Sequence, residues 1–194
     1  MRRLSQGNSF FKGPAVAHGG VNKLKRKNLW APWRIGYIQG LADKSECFIC
    51  KNIKTPQDDD NNLVLWRSKN CIAVMNRFPY NNGHLLIAPN RHIPDFNEAN
   101  DEELLEMTKM TRDAQKVLSL AIKPHGFNIG INFGRCAGAG LPDHMHIHVV
   151  PRWNGDTNFV RVCSDTYLIS QSIEELLKLL KQTSAKNGLP VLAP

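Results

Sequence analysis

The segment DHMHIHVV (143–150) alternates three histidines with aliphatic residues. Successive side chains of a β-strand point to opposite faces, so His144, His146 and His148 would share one face while the aliphatic residues enter a core. Neutral imidazole is a competent nucleophile, and a second imidazole can supply a proton near neutral pH. The pattern therefore favours chemistry by histidine over a polar, solvated sheet face.

The spacing of these histidines argues against one metal ion held by all three rings. Side chains on the same face of a strand lie about 7 Å apart, whereas Zn–N bonds are only about 2.0–2.1 Å long. We therefore predict that the rings line a groove one after another, along an extended ligand.

A glycine-rich loop, GRCAGAGLPD (134–143), comes directly before the histidine strand. Glycine and alanine leave main-chain N–H groups unobstructed, and concave arrangements of such groups bind phosphate. The AGAG stretch, with Gly138, Ala139 and Gly140, is the part of the loop that we expect to bind it. A phosphate loop joined to three histidines indicates a site that acts on phosphate esters.

These residues resemble a known family, the histidine triad (HIT) superfamily of nucleotide hydrolases and transferases. Its motif, in which three histidines alternate with apolar residues, stands here as HMHIHVV (144–150). The segments LWAPWR (29–34), VMNRFPYNNGHLLIAPNRH (74–92), PHGFNIGINFGRCAGAG (124–140) and VVPRWNGDTNF (149–159) extend the likeness. The segment 74–92 resembles the first half-motif of the whole family, and the other three resemble its diadenosine tetraphosphate phosphorylase-like branch. The likeness covers residues 29–165.

The resemblance implies a role for each matching residue. His146 attacks the α-phosphorus of a nucleotide and forms a covalent nucleotidyl-histidine, while His148 binds the phosphate. Asn76 holds the ribose, and Asn132 lies on the phosphate side. His84 is a further pocket histidine or a buried structural one. Beside the resemblance, Arg152 is a candidate contact for the distal end of the nucleotide, with a surface ion pair as the alternative.

The implied substrate is a dinucleoside polyphosphate, with inorganic phosphate as a possible acceptor. Water as acceptor would make the protein a hydrolase, and an amine leaving group would make it a phosphoramidase. A non-catalytic nucleotide-binding module and a nucleic-acid end-processing enzyme are the alternatives from other classes. The resemblance also implies a homodimer.

A C-x-x-C pair, Cys47 and Cys50, is a separate signal for chemistry. Alone it fits a redox pair or half of a zinc site. The resemblance implies that His92 and His144 complete the set. Two cysteines and two histidines suit tetrahedral zinc with no open position, which is a structural role. The implied chemistry at His146 requires no catalytic metal.

Charge and cysteine content bear on partners and compartment. Residues 1–42 hold eight of the 25 Lys and Arg and no Asp or Glu, so the other 17 balance all 17 acidic residues. We expect residues 1–28 to form a basic, flexible tail; contact with nucleic acid and an organellar transit peptide are the alternatives. Five cysteines, of which only Cys47 and Cys50 are closely spaced, suit a reducing compartment, hence the cytoplasm. No apolar run is long enough to span a membrane.

The elements that must position these residues form an α+β domain over residues 29–194. We predict strands at 63–67, 71–76, 84–89, 127–133 and 145–151. Residues 100–103 (NDEE) open a helix with an acidic first turn, and a closing amphipathic helix is predicted at 172–182. The resemblance implies a HIT-like fold, in which a mostly antiparallel sheet carries a long helix on one face and a C-terminal helix.

Overall fold

A five-stranded antiparallel sheet forms the centre of the protein, seen in a computed structural model that describes residues 46–156 and 169–191. The strands run in the order β1-β2-β3-β5-β4. Their bounds are Val64–Arg67 (β1), Cys71–Met75 (β2), Leu85–Pro89 (β3), Gly126–Ile131 (β4) and Ile147–Arg152 (β5). The predicted basic tail (1–28) and the start of the predicted catalytic domain lie outside the described residues.

A long helix, α2 (Asp101–Ile122), crosses one face of the sheet. Its first turn is acidic, which suits the positive end of the helix dipole. Asn100 accepts a hydrogen bond from the Glu103 N–H, and the Glu103 carboxylate accepts one from the Asn100 N–H. This capping box supplies partners to main-chain donors that a helix start otherwise leaves unpaired.

The C-terminal helix, α3 (Ile173–Asn187), packs against α2 and against β1. Ser172 caps it by accepting the Glu175 N–H, and it ends at Gly188, whose φ of 59° is left-handed. The Trp66 Nε1–H of β1 donates to the Ser184 hydroxyl over 3.1 Å. The predicted α+β architecture, with one long and one C-terminal helix, is therefore confirmed.

The sheet has an apolar layer on each face. The helix-covered face carries the larger core, which includes Leu85, Ile87 and Val149 of the central strands and Met107 and Leu118 of α2. The opposite face carries a smaller cluster, whose buried members are Ile49, Val64, Ile72, Val74, Leu86 and Ala88. Even-numbered residues of β3 therefore point away from the helices, toward the face where the functional residues collect.

Two local features differ from the sequence-based expectation. A short helix, α1 (Phe48–Lys54), follows Cys47 where no helix was predicted. The histidine strand begins at Ile147 and not at Met145, because the Met145 N–H donates to the Ile93 carbonyl and so leaves the ladder with β3. Seven-residue helices rarely show a readable apolar period, and a strand start set by a distant carbonyl has no local signal.

Candidate active site and metal centre

His148 points away from the helices because β5 places it in register with Leu86 of β3 and Gly130 of β4. His146 lies just before the strand, and its ring meets that of His148 edge-on, with ring centroids 4.8 Å apart. Met145 and Val149 are buried on the opposite side, in the larger core. The predicted alternation of core residues and histidines is confirmed.

The proton of His146 is fixed by the main chain. Its Nδ1 lies 2.9 Å from the carbonyl oxygen of His144. A carbonyl only accepts, so Nδ1 carries the hydrogen and Nε2 keeps its lone pair. Within the described residues Nε2 has no hydrogen-bond partner, and no such unpartnered nitrogen is sealed from solvent. The Nε2 lone pair of His146 is thus open to a ligand, as the predicted role of a nucleophile requires.

The proton of His148 is fixed through His84. The Tyr80 N–H donates to His84 Nδ1 over 3.1 Å, which leaves the hydrogen of neutral His84 on Nε2. That hydrogen is donated to His148 Nδ1 over 2.9 Å. His148 therefore keeps its own hydrogen on Nε2, the nitrogen on the Asn132 side of the ring. An N–H aimed there is a ready donor to an anionic phosphoryl oxygen.

Burial keeps the three imidazoles neutral. It lowers the pKa of His84 to about 3, and the neighbouring His148 and His146 add to the effect. It lowers the pKa of His148 to about 4, again with His146 contributing. The pKa of His146 is lowered by burial too, although its bond to the His144 carbonyl opposes the shift. A nucleophile that stays unprotonated near pH 7 suits attack on phosphorus.

The two predicted asparagines lie at this site in different ways. Asn76 accepts the Phe78 N–H with its side-chain oxygen and directs its side-chain nitrogen at His84 Nδ1, 3.2 Å away. It therefore helps to fix the His84 proton, with one amide hydrogen left for a ribose. The Asn132 amide nitrogen lies 3.5 Å from His148 Nε2; both atoms are donors in this tautomer, so the contact is not a hydrogen bond and the Nε2–H stays available to a ligand. The two asparagines lie at opposite ends of the His84–His148 pair, and their contacts with ribose and phosphate stay predictions.

The glycine-rich loop contains a single 3₁₀ turn, Arg135–Ala137, between left-handed glycines at 134 and 138. The Gly138 N–H donates to the Arg135 carbonyl, and the Ala139 N–H donates to the Gly134 carbonyl. Two of the three predicted phosphate-binding amides are therefore used inside the loop. The Gly140 N–H has no partner among the described residues, so it is the amide that can bind a phosphate as the loop stands.

Gly83 is the glycine that the site needs most. Its φ of 77° is left-handed, and a Cβ there would lie 2.8 Å from Ile122 Cδ1 and 3.0 Å from Leu118 Cδ2 of α2. No other residue fits without displacing core atoms. The turn before β3 can therefore approach α2 closely and deliver His84, which is fully buried, to His148.

A second cluster lies at the other end of the histidine segment. Cys47, Cys50, His92 and His144 each offer one ligand atom, and these atoms all lie within 4.8 Å of one another. His144 Nδ1 is 3.3 Å from Cys47 Sγ and 3.5 Å from Cys50 Sγ. His92 Nδ1 is 3.2 Å from Cys50 Sγ. The four residues form a possible metal site, as expected.

The chemistry of this set fits tetrahedral zinc. Zn–S bonds of about 2.3 Å and Zn–N bonds of about 2.0–2.1 Å put sulfur and nitrogen roughly 3.5 Å apart in a tetrahedron, close to the separations found. His144 donates Nε2–H to the Pro89 carbonyl over 2.9 Å, so its Nδ1 lone pair faces the sulfurs. Burial raises the pKa of the Cys47 thiol to about 11, and a bound cation would reverse that shift.

Comparison with known proteins identifies the family. The HIT domain family model matches residues 57–155. This range contains all the histidines of the candidate active site and of the possible metal site, but not Cys47 and Cys50. The chain belongs to the HIT family. An AP-4-A phosphorylase from Mycobacterium tuberculosis is 36% identical over 168 residues, covering 84% of this chain and 85% of that protein.

Other HIT proteins agree with this assignment. A bis(5'-nucleosyl)-tetraphosphatase (asymmetrical) from Schizosaccharomyces pombe is 33% identical over 93 residues, 48% of this chain and 50% of that protein. A zinc-bound histidine triad family protein from Mycobacterium smegmatis shares the fold, with a TM-score of 0.60 and 23% identity over 74% of this chain and 96% of that one. The protein is a nucleotide-processing enzyme of the HIT family. None of the helices described is long and apolar enough to cross a membrane.

Arg152 lies on the same face of the HIT sheet as His148 but near the far end of β5. Its guanidinium makes a double hydrogen bond to the Asp156 carboxylate, with Nε 2.6 Å from Oδ2, and a third bond to the Asn128 side chain. The surface ion pair considered as an alternative is therefore formed. A contact with the distal nucleotide stays a prediction.

Several groups that shape the site were missed by sequence reasoning. Tyr80 is the main one: its N–H fixes the His84 proton, and its ring lies beside both His84 and His148. Two carbonyls were also missed. That of His144 fixes the hydrogen of His146 on Nδ1, and that of Pro89 fixes the hydrogen of His144 on Nε2. Contacts made by main-chain groups cannot be predicted from residue types. The segment PYNNG predicts a turn, and nothing in it indicates a role for its tyrosine.

Proposed function

We propose that this enzyme is a dinucleoside polyphosphate phosphorylase that works through a covalent nucleotidyl intermediate on His146. One observation carries the proposal: His146 Nδ1–H is held by the His144 carbonyl, so its free Nε2 lone pair stands beside His148, which offers a hydrogen on its own Nε2. A nucleophile and an anion-stabilising donor on adjacent rings are the two groups that phosphoryl transfer needs first.

In the first step, the His146 Nε2 lone pair forms a bond to the α-phosphorus. The bond from phosphorus to the bridging oxygen breaks, and its electron pair leaves with the distal polyphosphate nucleotide. No proton has to leave His146, because Nδ1 keeps its hydrogen and the His144 carbonyl stabilises the positive charge that forms on the ring. The His148 Nε2–H meets the charge on the nonbridging oxygens.

In the second step, an oxygen of inorganic phosphate attacks the same phosphorus. The bond between phosphorus and His146 Nε2 breaks, and its electron pair returns to the ring, which restores the neutral nucleophile. The product is a nucleoside diphosphate. Water as the acceptor would give a nucleoside monophosphate by the same exchange, so the histidines alone do not choose between the two acceptors.

The choice of substrate and acceptor rests on the relative from M. tuberculosis, which is named AP-4-A phosphorylase and matches most of the chain. The test incubates diadenosine tetraphosphate with and without inorganic phosphate. We expect ATP and ADP, and only when phosphate is present. ATP and AMP without phosphate would show a hydrolase, which the name of the S. pombe relative represents. No turnover would favour the non-catalytic nucleotide-binding module.

We also propose that Cys47, Cys50, His92 and His144 hold one structural zinc ion. The short separations of the four ligand atoms support it, as does the zinc-bound protein that shares the fold. The ion would pin α1 to the loop after β3 and to the histidine segment. Metal analysis of purified protein should find one zinc per chain, lost in a Cys47→Ser, Cys50→Ser double variant. Zinc-free wild type would overturn the proposal.

A homodimer through β4 is the third part of the proposal. Among the described strands, β4 is an edge that pairs only with β5. Beside it, Ile129 and Phe133 are 46% and 37% exposed, and a groove of about 380 Å³ runs between α2 and Ile147. An unpaired edge and an apolar face suit a second copy related by a two-fold axis, since antiparallel edges pair with themselves.

Light scattering tests the dimer. We expect wild type at twice the mass of the chain and Ile129→Glu at the mass of one chain, because a buried charge at the two-fold axis would lack a partner. Leu120→Glu is the matched control, since Leu120 is 46% exposed like Ile129 but lies on α2 twelve residues beyond Thr108, the last helix residue that lines the groove. A monomeric wild type, or an Ile129→Glu variant that stays dimeric, would contradict the interface.

A further inference from the structure

Tyr80 touches both histidines of the His84–His148 pair but has no role in the steps above. Its N–H donates to His84 Nδ1, as described. Its ring lies 4.7 Å from the His84 ring at an interplanar angle of 37°, and 5.6 Å from the His148 ring at 26°. One residue therefore meets both members of the pair, by its main chain and by its ring.

The His148 ring lies between two neighbours. Tyr80 stacks on it, and the His146 ring meets it edge-on at 4.8 Å. His148 is only partly buried and accepts a single short hydrogen bond, from His84. Without a ring at position 80, His148 would have one flank open. An imidazole that turns over about its own axis would exchange Nδ1 for a carbon and lose the bond from His84.

We propose that Tyr80 is a positioning residue that holds His148 with its Nε2–H toward the transferred phosphoryl group. The main-chain N–H of Tyr80 fixes the hydrogen of His84 on Nε2. The aromatic ring keeps His148 in the orientation in which its Nδ1 accepts this hydrogen. The role in turnover rests on the proposed function; the positioning of His148 does not. The ring itself is the active part, since the hydroxyl has no hydrogen bond among the described residues.

A different role for the same ring is a direct contact with substrate, since Tyr80 is 48% exposed. The two roles differ in what they change. A positioning residue acts on the step in which charge develops, so its loss lowers kcat. A residue that only grips the substrate raises KM and leaves kcat alone. The rings already in contact with Tyr80 are imidazoles of the site, which favours positioning.

Three substitutions separate the ring from its hydroxyl and from its bulk. Tyr80→Phe keeps the ring, Tyr80→Leu keeps apolar bulk without a ring, and Tyr80→Ala removes both. We expect the kcat of Tyr80→Phe to stay within about twofold of wild type. In Tyr80→Leu and Tyr80→Ala, kcat should fall by about tenfold or more while KM for the nucleotide stays nearly unchanged. A loss of this size is typical when a supporting contact of a functional histidine is removed.

Nitrogen-15 NMR of the free enzyme at neutral pH gives a readout that packing alone would not move. Wild type and Tyr80→Phe should show His148 with its hydrogen on Nε2 only, and Tyr80→Leu should show a mixture of the two tautomers. Melting temperatures and zinc content identify any variant that fails to fold. The Leu variant serves as the test if the Ala variant does not fold.

Two results would overturn the proposal. One is a single His148 tautomer in Tyr80→Leu that matches wild type, and the other is a KM effect with unchanged kcat. Because the tautomer is measured without substrate, its outcome stands even if diadenosine tetraphosphate proves not to be turned over. Absent turnover with a shifted tautomer would refute the proposed function and leave the positioning role intact.

Discussion

The Nε2–H of His84 donates to His148 Nδ1 over 2.9 Å, which links a fully buried histidine on the β2–β3 turn to the histidine beside the proposed nucleophile. Three donors and acceptors in series, the Tyr80 N–H, His84 and His148, give each ring one defined proton position. The direction of these hydrogen bonds matters more than any single one, because in the proposed mechanism they end on a hydrogen that faces the phosphoryl group.

Replacing His84 should therefore damage catalysis from outside the reacting atoms. We expect His84→Phe, which keeps a planar ring but can neither donate nor accept, to lower kcat by about 10–100-fold. It also leaves the Tyr80 N–H without its acceptor, so the free energy of unfolding should fall by about 1–3 kcal/mol. His84→Gln, which retains a donor and an acceptor, should lose less of both. Wild-type kcat in the Phe variant would contradict the role of His84 in fixing the position of the His148 hydrogen.

Stability should decline in mild acid because two histidines are held neutral. The pKa of His84 is lowered from 6.5 to about 3 and that of His148 to about 4. Above pH 6.5 both are neutral folded or unfolded, so they add no pH dependence. Below it the unfolded chain takes up protons first, and the free energy of unfolding falls toward pH 4, by up to about 1.4 kcal/mol per pH unit for each ring.

Urea unfolding at pH 8, 7, 6 and 5 checks this direction. The wild-type curve should be flat at the upper end and fall at the lower end. The His84→Phe variant has one such histidine fewer, so its decline between pH 6 and 5 should be shallower. A wild-type stability that rises as the pH falls through this window would show that the rings are protonated in the folded state.

Glu103 should matter far more to stability than its neighbour Glu102. The Glu103 side chain is 3% exposed and pairs with Arg91, with Oε1 2.7 Å from Nε, while it also caps α2. Glu102 is 73% exposed, and its ion pair among the described residues is with Lys69. We expect Glu103→Gln to cost about 1–2 kcal/mol, from a weakened cap and from the charge lost opposite Arg91, whose side chain is 54% exposed.

Chemical denaturation of the two variants makes the comparison, since Glu102→Gln changes the same charge on the same helix turn. The exposed ion pair there should be worth less than about 1 kcal/mol. Equal losses in the two variants would mean that the capping box and the Arg91 pair do not stabilise the start of α2. Arg91 is next to His92, so zinc content should be measured in both.

Much of the fold was predictable from local patterns, and the limits of prediction have physical causes. Alternation in the histidine segment predicted which side chains enter the core, and Asn100 followed by three acidic residues predicted where α2 begins. In the possible metal site, the C-x-x-C spacing pointed to Cys47 and Cys50, but His92 and His144 came from resemblance, because His92 lies 42 positions after Cys50 and no local pattern joins them. Proton positions depend on main-chain carbonyls and on Tyr80, which only the folded chain brings together.

The proposed zinc ion should support the active site as well as the fold, because His144 belongs to both. Its ring faces Cys47 and Cys50, and its carbonyl accepts the hydrogen of His146 Nδ1. Losing the ion would free α1 and let this carbonyl shift. We expect Cys50→Ser to cost about 3 kcal/mol or more, a drop in melting temperature of roughly 6–12 °C, and to lower kcat as well.

Cys136→Ser is the matched control, since Cys136 is an exposed cysteine in the glycine-rich loop and outside the metal cluster. It should keep the wild-type melting temperature and zinc content. Thermal unfolding and steady-state kinetics of both variants, before and after treatment with a chelator, complete the comparison. The chelator should lower the melting temperature of wild type and Cys136→Ser, and change Cys50→Ser little. A Cys50→Ser protein that melts and turns over like wild type would show that the cluster holds no structural ion.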